Sequence, residues 1–335
     1  GLGPVGREIT RFLSERSGVT VVGAVDVDPS KHGADLPSLT GEKTPGSATI
    51  TSNLAEAVAA TPADIGILTT TSRLDEALPD ILEFVKAGMH VISTCEELIY
   101  PWRRHPDLAE EIDQAATENG VSVLGTGVNP GFLMDVFPLI STSLCQDVQM
   151  VTVERIIDAT SRRLSFRKKI GAGLGSAEFE KQSQAGQIRH IGLLESIHML
   201  SACTGINIDR IEESLHPVFA HEQIETEQQI VEPGHVRGIC QVACAYQDDS
   251  LRFSLVFRAT VGEATPRDRV VVGGYPDIEV IIPSGVNGDI ATGAIVVNAI
   301  PNVLHGRPGL LTLAETGTVS WWSRLPPPGS TRLMT

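Results

Sequence analysis

Three stretches of this chain combine residue types and spacings that could do chemistry. The first is Gly1-Leu2-Gly3-Pro4-Val5-Gly6, a G-x-G-x-x-G run. In such a run Gly1 and Gly3 allow a tight turn and close approach of backbone to a pyrophosphate. Gly6 lets the following helix pack near a strand, with its N-terminus toward the anion. Pro4 fits, because a first-turn position needs no amide donor, and Val5 completes the candidate loop. Twenty residues after Gly6, Asp26 ends an apolar run, at the spacing from which a carboxylate reaches an adenosine ribose. Asp26 would bind ribose hydroxyls and repel a 2′-phosphate, which favours NAD, while Arg7 and Lys31 keep NADP open. The alternative is that Asp26 only caps the turn at Asp28-Pro29.

The second stretch, Ser93-Thr94-Cys95-Glu96-Glu97-Leu98-Ile99-Tyr100-Pro101, follows an apolar strand-like run. Two carboxylates at a strand's end are candidates for acid–base work. Enclosed beside an apolar ring, a carboxylate has its pKa raised by desolvation and becomes a base near neutral pH. Only one of the adjacent pair can easily point into a pocket, so Glu96 and Glu97 are alternatives, and a structural role for both stays open. Thr94 and Cys95 are candidates for lining the cofactor. So is Thr69-Thr70-Thr71-Ser72, of which Thr70, Thr71 and Ser72 are the chosen contacts, unless this segment caps the helix from Leu74.

The third stretch is Gly125-Thr126-Gly127-Val128-Asn129-Pro130-Gly131-Phe132. A glycine-rich turn there would let backbone pass close to a nicotinamide, with Asn129 offering amide hydrogen bonds; it would also serve as a hinge. Val128, Phe132, Phe166 and His190 are the candidate substrate contacts. Arg155, Arg162, Arg163, Arg167, Lys168 and Lys169 form a basic cluster, together with Asp158, that reads equally as an anion clamp or as a solvated ion-pair network. His190 and His198, eight apart on an expected helix, are by default core or surface histidines.

These residues need positioning elements. The spacing predicts a helix over Arg7 to Arg16, a buried parallel strand Val19 to Val25, and then an alternation. Its helices lie near Asn53 to Ala60, at Leu74 to Ala87 and at Asp107 to Asn119; its strands are Asp64 to Thr69, His90 to Ser93 and Ser122 to Gly125. The pattern is a doubly wound α/β fold of Rossmann type with a parallel sheet. Since the glycine run normally follows a strand, roughly 8–12 residues of a first strand are expected upstream of Gly1. Beyond Pro130 the rhythm changes to α+β. Strands are expected at Met150 to Ile157, Gly238 to Tyr246 and Leu251 to Ala259, with helices around His190 to Thr204 and Asn287 to Val303. The expected domains are residues 1–130 for dinucleotide binding, 131–286 for substrate and dimerisation, and 287–320 as a helix and segment packing back between them. The stretch Pro326-Pro327-Pro328-Gly329 reads as a loose tail.

Composition narrows the classes. Of 335 residues, 41% are hydrophobic and 20% charged, and acids outnumber Lys plus Arg by 41 to 26. The net charge of -15 would repel nucleic acid and anionic lipid. The scattered cysteines Cys95, Cys145, Cys203, Cys240 and Cys244 contain no close pair for a zinc site and suit a reducing cytoplasm. Cys240 and Cys244 share a strand face and read as small core residues. No apolar run suggests a membrane span.

With the glycine loop, the 94–101 segment and the 125–132 turn in place, the chain resembles native amine dehydrogenases, and more broadly the 2,4-diaminopentanoate dehydrogenase group. The first domain of that group is similar to that of dihydrodipicolinate reductases. The stretch 155–173 (Arg-Ile-Ile-Asp-Ala to Lys-Ile-Gly-Ala-Gly) carries the same resemblance. It implies reversible oxidative deamination of an amine to a ketone or aldehyde and ammonia with NAD or NADP, a homodimer, and one catalytic glutamate. That glutamate best matches Glu96, with Glu97 in reserve. The paired histidines, lysine and Pro-Ser-Gly-Thr clamp of a true dihydrodipicolinate reductase are absent between Val151 and Gly175, which disfavours that reaction. Other Rossmann oxidoreductases, of dihydrodipicolinate or homoserine type, and a non-catalytic dinucleotide sensor are the competing readings.

Overall fold

The computed structural model describes residues 1–40, 48–227 and 229–325; the proline run at 326–329 lies outside them. The chain forms two compact units, residues 1–131 with 287 onward, and residues 132–286. The first unit begins with α1 (Pro4–Ser14), β1 (Ala24–Val25), α2 (Leu36–Thr40), β2 (Ile50–Thr51), α3 (Leu54–Ala60), β3 (Ile65–Leu68), α4 (Leu74–Lys86), β4 (His90–Ser93), α5 (Pro106–Glu118) and β5 (Ser122–Gly125). The second unit comprises α6 (Val136–Thr142), β6 (Asp147–Asp158), α7 (Leu164–Lys169), α8 (Ser176–Gln184) and α9 (Leu193–Thr204). It continues with β7 (Arg210–Phe219), β8 (Ile224–Thr226), β9 (Gln229–Val231), β10 (Val236–Gln247), β11 (Ser250–Thr260), β12 (Arg267–Tyr275) and β13 (Ile278–Pro283). The chain then returns to the first unit as α10 (Gly288–Leu304) and β14 (Gly309–Leu311).

In the first unit β3, β4, β5 and β14 form a parallel sheet in the order β14-β5-β4-β3. Helices α4 and α5 bury one face through Leu74, Ala77, Ile81, Val85, Ala109 and Ile112, and α10 packs on β4, β5 and α1. Helices on both faces of a parallel sheet are the Rossmann-type arrangement expected from the sequence. The apolar stripe of α4 drives this packing, each fully buried Leu or Ile contributing roughly 1.5–3 kcal/mol. In β3 the glycine at position 66 admits the Phe84 ring, whose nearest carbon would lie 2.6 Å from an added Cβ.

One strand is shorter than expected. Only Ala24 and Val25 of the Val19 to Val25 run pair, in parallel with Ile50 and Thr51, and this two-stranded sheet is separate from the other four strands. Val22 of this run is 40% exposed.

The second unit carries a six-stranded sheet in the order β13-β12-β6-β11-β10-β7, in which only β6 and β11 run parallel. Val151, Val153, Ala243, Phe253, Leu255 and Val270 supply a core against Leu193, Ile197 and Leu200 of α9. Alternation along β10 corrects the reading of the cysteines: Ile239, Gln241 and Ala243 are buried, while Cys240 and Cys244 share the opposite, half-exposed face. His190 also departs from expectation. The helix starts only at Leu193, after Gly192 at φ 124°, a conformation that interrupts helical geometry, so His190 sits in the preceding loop.

Candidate active site

The glycine loop opens α1 without a side-chain cap. Gly3 is the N-cap with extended backbone (φ -67°, ψ -174°), Pro4 takes the first helical position, and no side chain accepts from the first turn. The amides of Val5 and Gly6 have no intrahelical acceptor by geometry, so this end is an open anion cradle. A Cβ at Gly6 would overlap the Gly1 carbonyl oxygen, whereas at Gly3 it would meet nothing within 4 Å. Gly6 is therefore needed for packing, and Gly3 faces open space.

Two side chains fasten the loop. Thr69 Oγ1 donates to the Gly1 carbonyl at 2.7 Å, and the Leu2 amide donates to Asp26 Oδ2 at 2.6 Å. The Asp28 amide donates to Asp26 Oδ1 at 2.9 Å, and Lys31 Nζ lies 2.9 Å from Asp26 Oδ2. Burial pushes the Asp26 carboxyl up, but the bonds from the Asp28 amide, Lys31 and the Leu2 amide outweigh it and hold the group below its ordinary value. Asp26 thus caps the Asp28 turn and also stands beside the glycine loop. Thr69, whose hydroxyl holds the loop, was not among the chosen contacts. Its signal was its place as the first residue after β3.

Backbone bonds carry the strand register past the sheet's C-terminal edge: Thr94 N donates to Leu68 O at 3.0 Å and Thr126 N to Ser93 O at 2.9 Å. Thr69, Thr94 to Glu97, and Thr126 are thereby gathered at the edge where open α/β sheets bind ligands. The buried Thr126 hydroxyl has no hydrogen-bond partner among the described residues. Such orphans are rare and fit a ligand group. An open helix start, clear space at Gly3, a nearby carboxylate and this orphan all suit a dinucleotide.

The adjacent glutamates divide. Glu96, half-buried, opens a 3-10 turn, Glu96–Leu98. Gly125 makes room for that turn, since a Cβ there would lie 2.7 Å from the Leu98 carbonyl. The Glu97 carboxylate accepts from the Leu74 amide at 2.8 Å, capping α4, and lies 3.4 Å from His105 Nε2. A role for Glu97 as base is disfavoured by this commitment.

Other candidates fare unevenly. Cys95 is buried in the core under α4 and α5, its Sγ donating to Ser72 O at 3.3 Å, and burial pushes the thiol up to about 12. Its side chain is a packing group. Thr71 Oγ1 accepts from Arg73 N at 3.2 Å, and Thr70 is exposed. The α4 cap comes from Glu97, not from Ser72 or the threonines. Val128 is buried, its amide 3.4 Å from Thr292 Oγ1, and Asn129 is half-buried in the same turn. The glycines of that turn serve its own packing: at Gly131 (φ 120°) a Cβ would lie 2.5 Å from the Gly127 nitrogen.

In the second unit Phe132 stacks on Phe137 and the Phe166 ring lies under the Arg162 guanidinium. His190 stacks on Phe257 at 4.2 Å, and the Gln241 side-chain amide clamps its backbone at 2.8 and 2.9 Å. Burial, then the charges of Lys169, Arg155 and Arg189, drive the imidazole pKa well below its ordinary value, so the ring is neutral. The basic cluster does not form one patch. Arg155 is buried against Asp268 at 2.7 Å, Arg167 is buried and donates to Thr226 at 2.8 Å, and Lys168 is exposed.

The comparisons place the chain among known proteins. The family model described as the 2,4-diaminopentanoate dehydrogenase C-terminal domain matches residues 132–322. A 2,4-diaminopentanoate dehydrogenase of Acetoanaerobium sticklandii is 30% identical over 322 residues, 94% of this chain and 91% of the relative. An amine dehydrogenase of Streptomyces virginiae is 26% identical over 217 residues, 64% of this chain and 60% of the relative. The structure of an amine dehydrogenase from Mycobacterium smegmatis superposes with a TM-score of 0.85 at 22% identity, covering 97% of this chain and 96% of that one. The chain accordingly belongs to the 2,4-diaminopentanoate dehydrogenase family.

Proposed function

We propose that this protein is an NAD(P)-dependent amine dehydrogenase. A primary ammonium, the oxidised coenzyme and one water give the corresponding ketone or aldehyde, an ammonium ion, the reduced coenzyme and a proton; the reverse is reductive amination. The observation that carries this reading is that the uncapped glycine loop, held by Asp26, is fastened through Thr69 to the sheet edge at which Glu96 opens its turn. When bound, the nicotinamide accepts or supplies the hydride.

Glu96 takes a proton from the ammonium, leaving a nitrogen lone pair that drives loss of hydride from the adjacent carbon; it passes that proton to solvent and, again a carboxylate, deprotonates the water that hydrolyses the iminium. Thr69 and Asp26 hold the glycine loop in its binding shape. Val128, Phe132, Phe166 and His190 are the proposed substrate contacts, His190 as a neutral ring. The names of the relatives make 2,4-diaminopentanoate and simple amines the first substrates to try.

The further proposals are a homodimer, supported by the half-exposed sheet face bearing Cys240 and Cys244, and residence in a reducing cytoplasm, supported by five cysteines that form no disulfide. Among the described residues no helix is long and apolar enough to cross a membrane. The deciding experiment follows oxidation of NADH and NADPH with short ketones, aldehydes and 2-amino-4-oxopentanoate, with and without ammonia. Ammonia-dependent oxidation is expected; ammonia-independent oxidation would instead make the protein a carbonyl reductase.

A further inference from the structure

The Asp26 carboxylate is crowded in a way that bears on which coenzyme it can hold. A carboxylate offers about four lone-pair sites on two oxygens. Three are used: Oδ2 by the Leu2 amide at 2.6 Å and Lys31 Nζ at 2.9 Å, and Oδ1 by the Asp28 amide at 2.9 Å. The two amides belong to backbone that the loop and turn fix in place. Lys31 alone can leave, being a flexible stem that ends the 3-10 turn Pro29–Lys31, with a second acid, Asp28 Oδ2, 3.6 Å away.

An unphosphorylated ribose presents two hydroxyls to such a carboxylate, and with Lys31 docked only one lone-pair site is open. Both hydroxyls are bound only when Lys31 moves off. A ribose carrying a 2′-phosphate meets the opposite situation: Asp26 alone would repel it, and the ammonium of Lys31 is the counter-charge beside it.

Resting on the coenzyme reading above, we infer that Lys31 is the coenzyme-selecting residue: it releases Asp26 for the ribose of NAD(H) and binds the 2′-phosphate of NADP(H), so the chain accepts both. Selection at this site is set by a movable counter-ion and not by the carboxylate alone. Asp26 cannot be tested by simple removal, because it also fastens the glycine loop; the Lys31 ammonium is paired with the Asp26 and Asp28 carboxylates and can be changed by itself.

The test is direct titration of the whole chain with NADH and with NADPH, read by coenzyme fluorescence, for wild type, Lys31→Met and Lys31→Arg. The wild type is expected to bind both. Lys31→Met should weaken NADPH binding by about tenfold or more, the worth of a lost charge-assisted contact, with NADH binding unchanged or tighter, and Lys31→Arg should retain NADPH. Equal weakening of both coenzymes by Lys31→Met, no change in either, or a wild type that binds NADH but not NADPH would overturn the inference while leaving dinucleotide binding intact. A wild type that binds neither coenzyme would overturn the coenzyme reading and this inference with it.

Discussion

The Glu97 carboxylate accepts the Leu74 amide at 2.8 Å and so caps α4 from outside the helix. Its sequence neighbour Glu96 begins the 3-10 turn at the sheet edge. Two adjacent, chemically identical side chains are thus placed in different jobs by the backbone between them.

Substitution should separate the two. Glu96→Gln is expected to lower amine-dependent turnover by about 10²–10⁴-fold, the usual contribution of a general base, with coenzyme binding and thermal stability retained. Glu97→Ala should cost about 1 kcal/mol of stability through the lost cap and leave more of the activity. Turnover and urea denaturation of both variants check this; the reverse pattern would make Glu97 the base.

The glycine loop gives a second pair. Gly3→Ala adds a methyl into open space and should leave stability within about 0.5 kcal/mol, yet weaken NADH binding, because that space is where a pyrophosphate approaches. Gly6→Ala collides with the Gly1 carbonyl oxygen and should lose both stability and binding. Thermal denaturation beside NADH fluorescence titration distinguishes them. Unchanged NADH affinity in Gly3→Ala would remove the loop from the coenzyme site.

His190 predicts a pH effect. Its folded pKa lies well below the ordinary 6.5, so between those values the unfolded chain binds a proton that the native state does not. Stability therefore rises with pH in that window and falls as pH drops below about 6.5, by up to about 1.4 kcal/mol per unit from this residue. His90, also lowered by burial, acts in the same direction, so the informative quantity is a difference. Urea denaturation at pH 7.5 and 5.5 should show a smaller loss for His190→Gln than for wild type; equal losses would mean that the ring titrates normally.

Arg155 and Asp268 form a buried pair whose remaining bonds go to the backbone of Val286, at 3.1 Å from the guanidinium and 2.8 Å to the carboxylate. Asp268→Ala leaves a buried cation and should destabilise by about 3–5 kcal/mol, whereas Arg155→Met with Asp268→Leu should cost less, since no charge is stranded. Denaturant unfolding of the single and double variants decides it, and an Asp268→Ala cost under about 1 kcal/mol would contradict the burial of this pair.

Much of this protein was determined by its sequence alone. The 3.6-residue apolar stripes fixed α4, α5 and α10, and the short apolar runs fixed β3 to β5 to within a residue or two, because each segment's own pattern states which face must be buried. The glycine spacing marked the turn that opens α1, since glycine is required where backbone meets backbone, as at Gly6. What the sequence left open needed partners distant in the chain. The Leu74 amide, 23 residues away, takes the Glu97 carboxylate as its acceptor, and a core built from α4 and α5 encloses the side chain of Cys95. Cys240 and Cys244 took the half-exposed face because β10 keeps its other face for Ile239, Gln241 and Ala243. Periodicity is a property of the segment and can be read there; a hydrogen-bond partner, a charge partner or a covered face is a property of the tertiary structure, which alone brings those groups within reach.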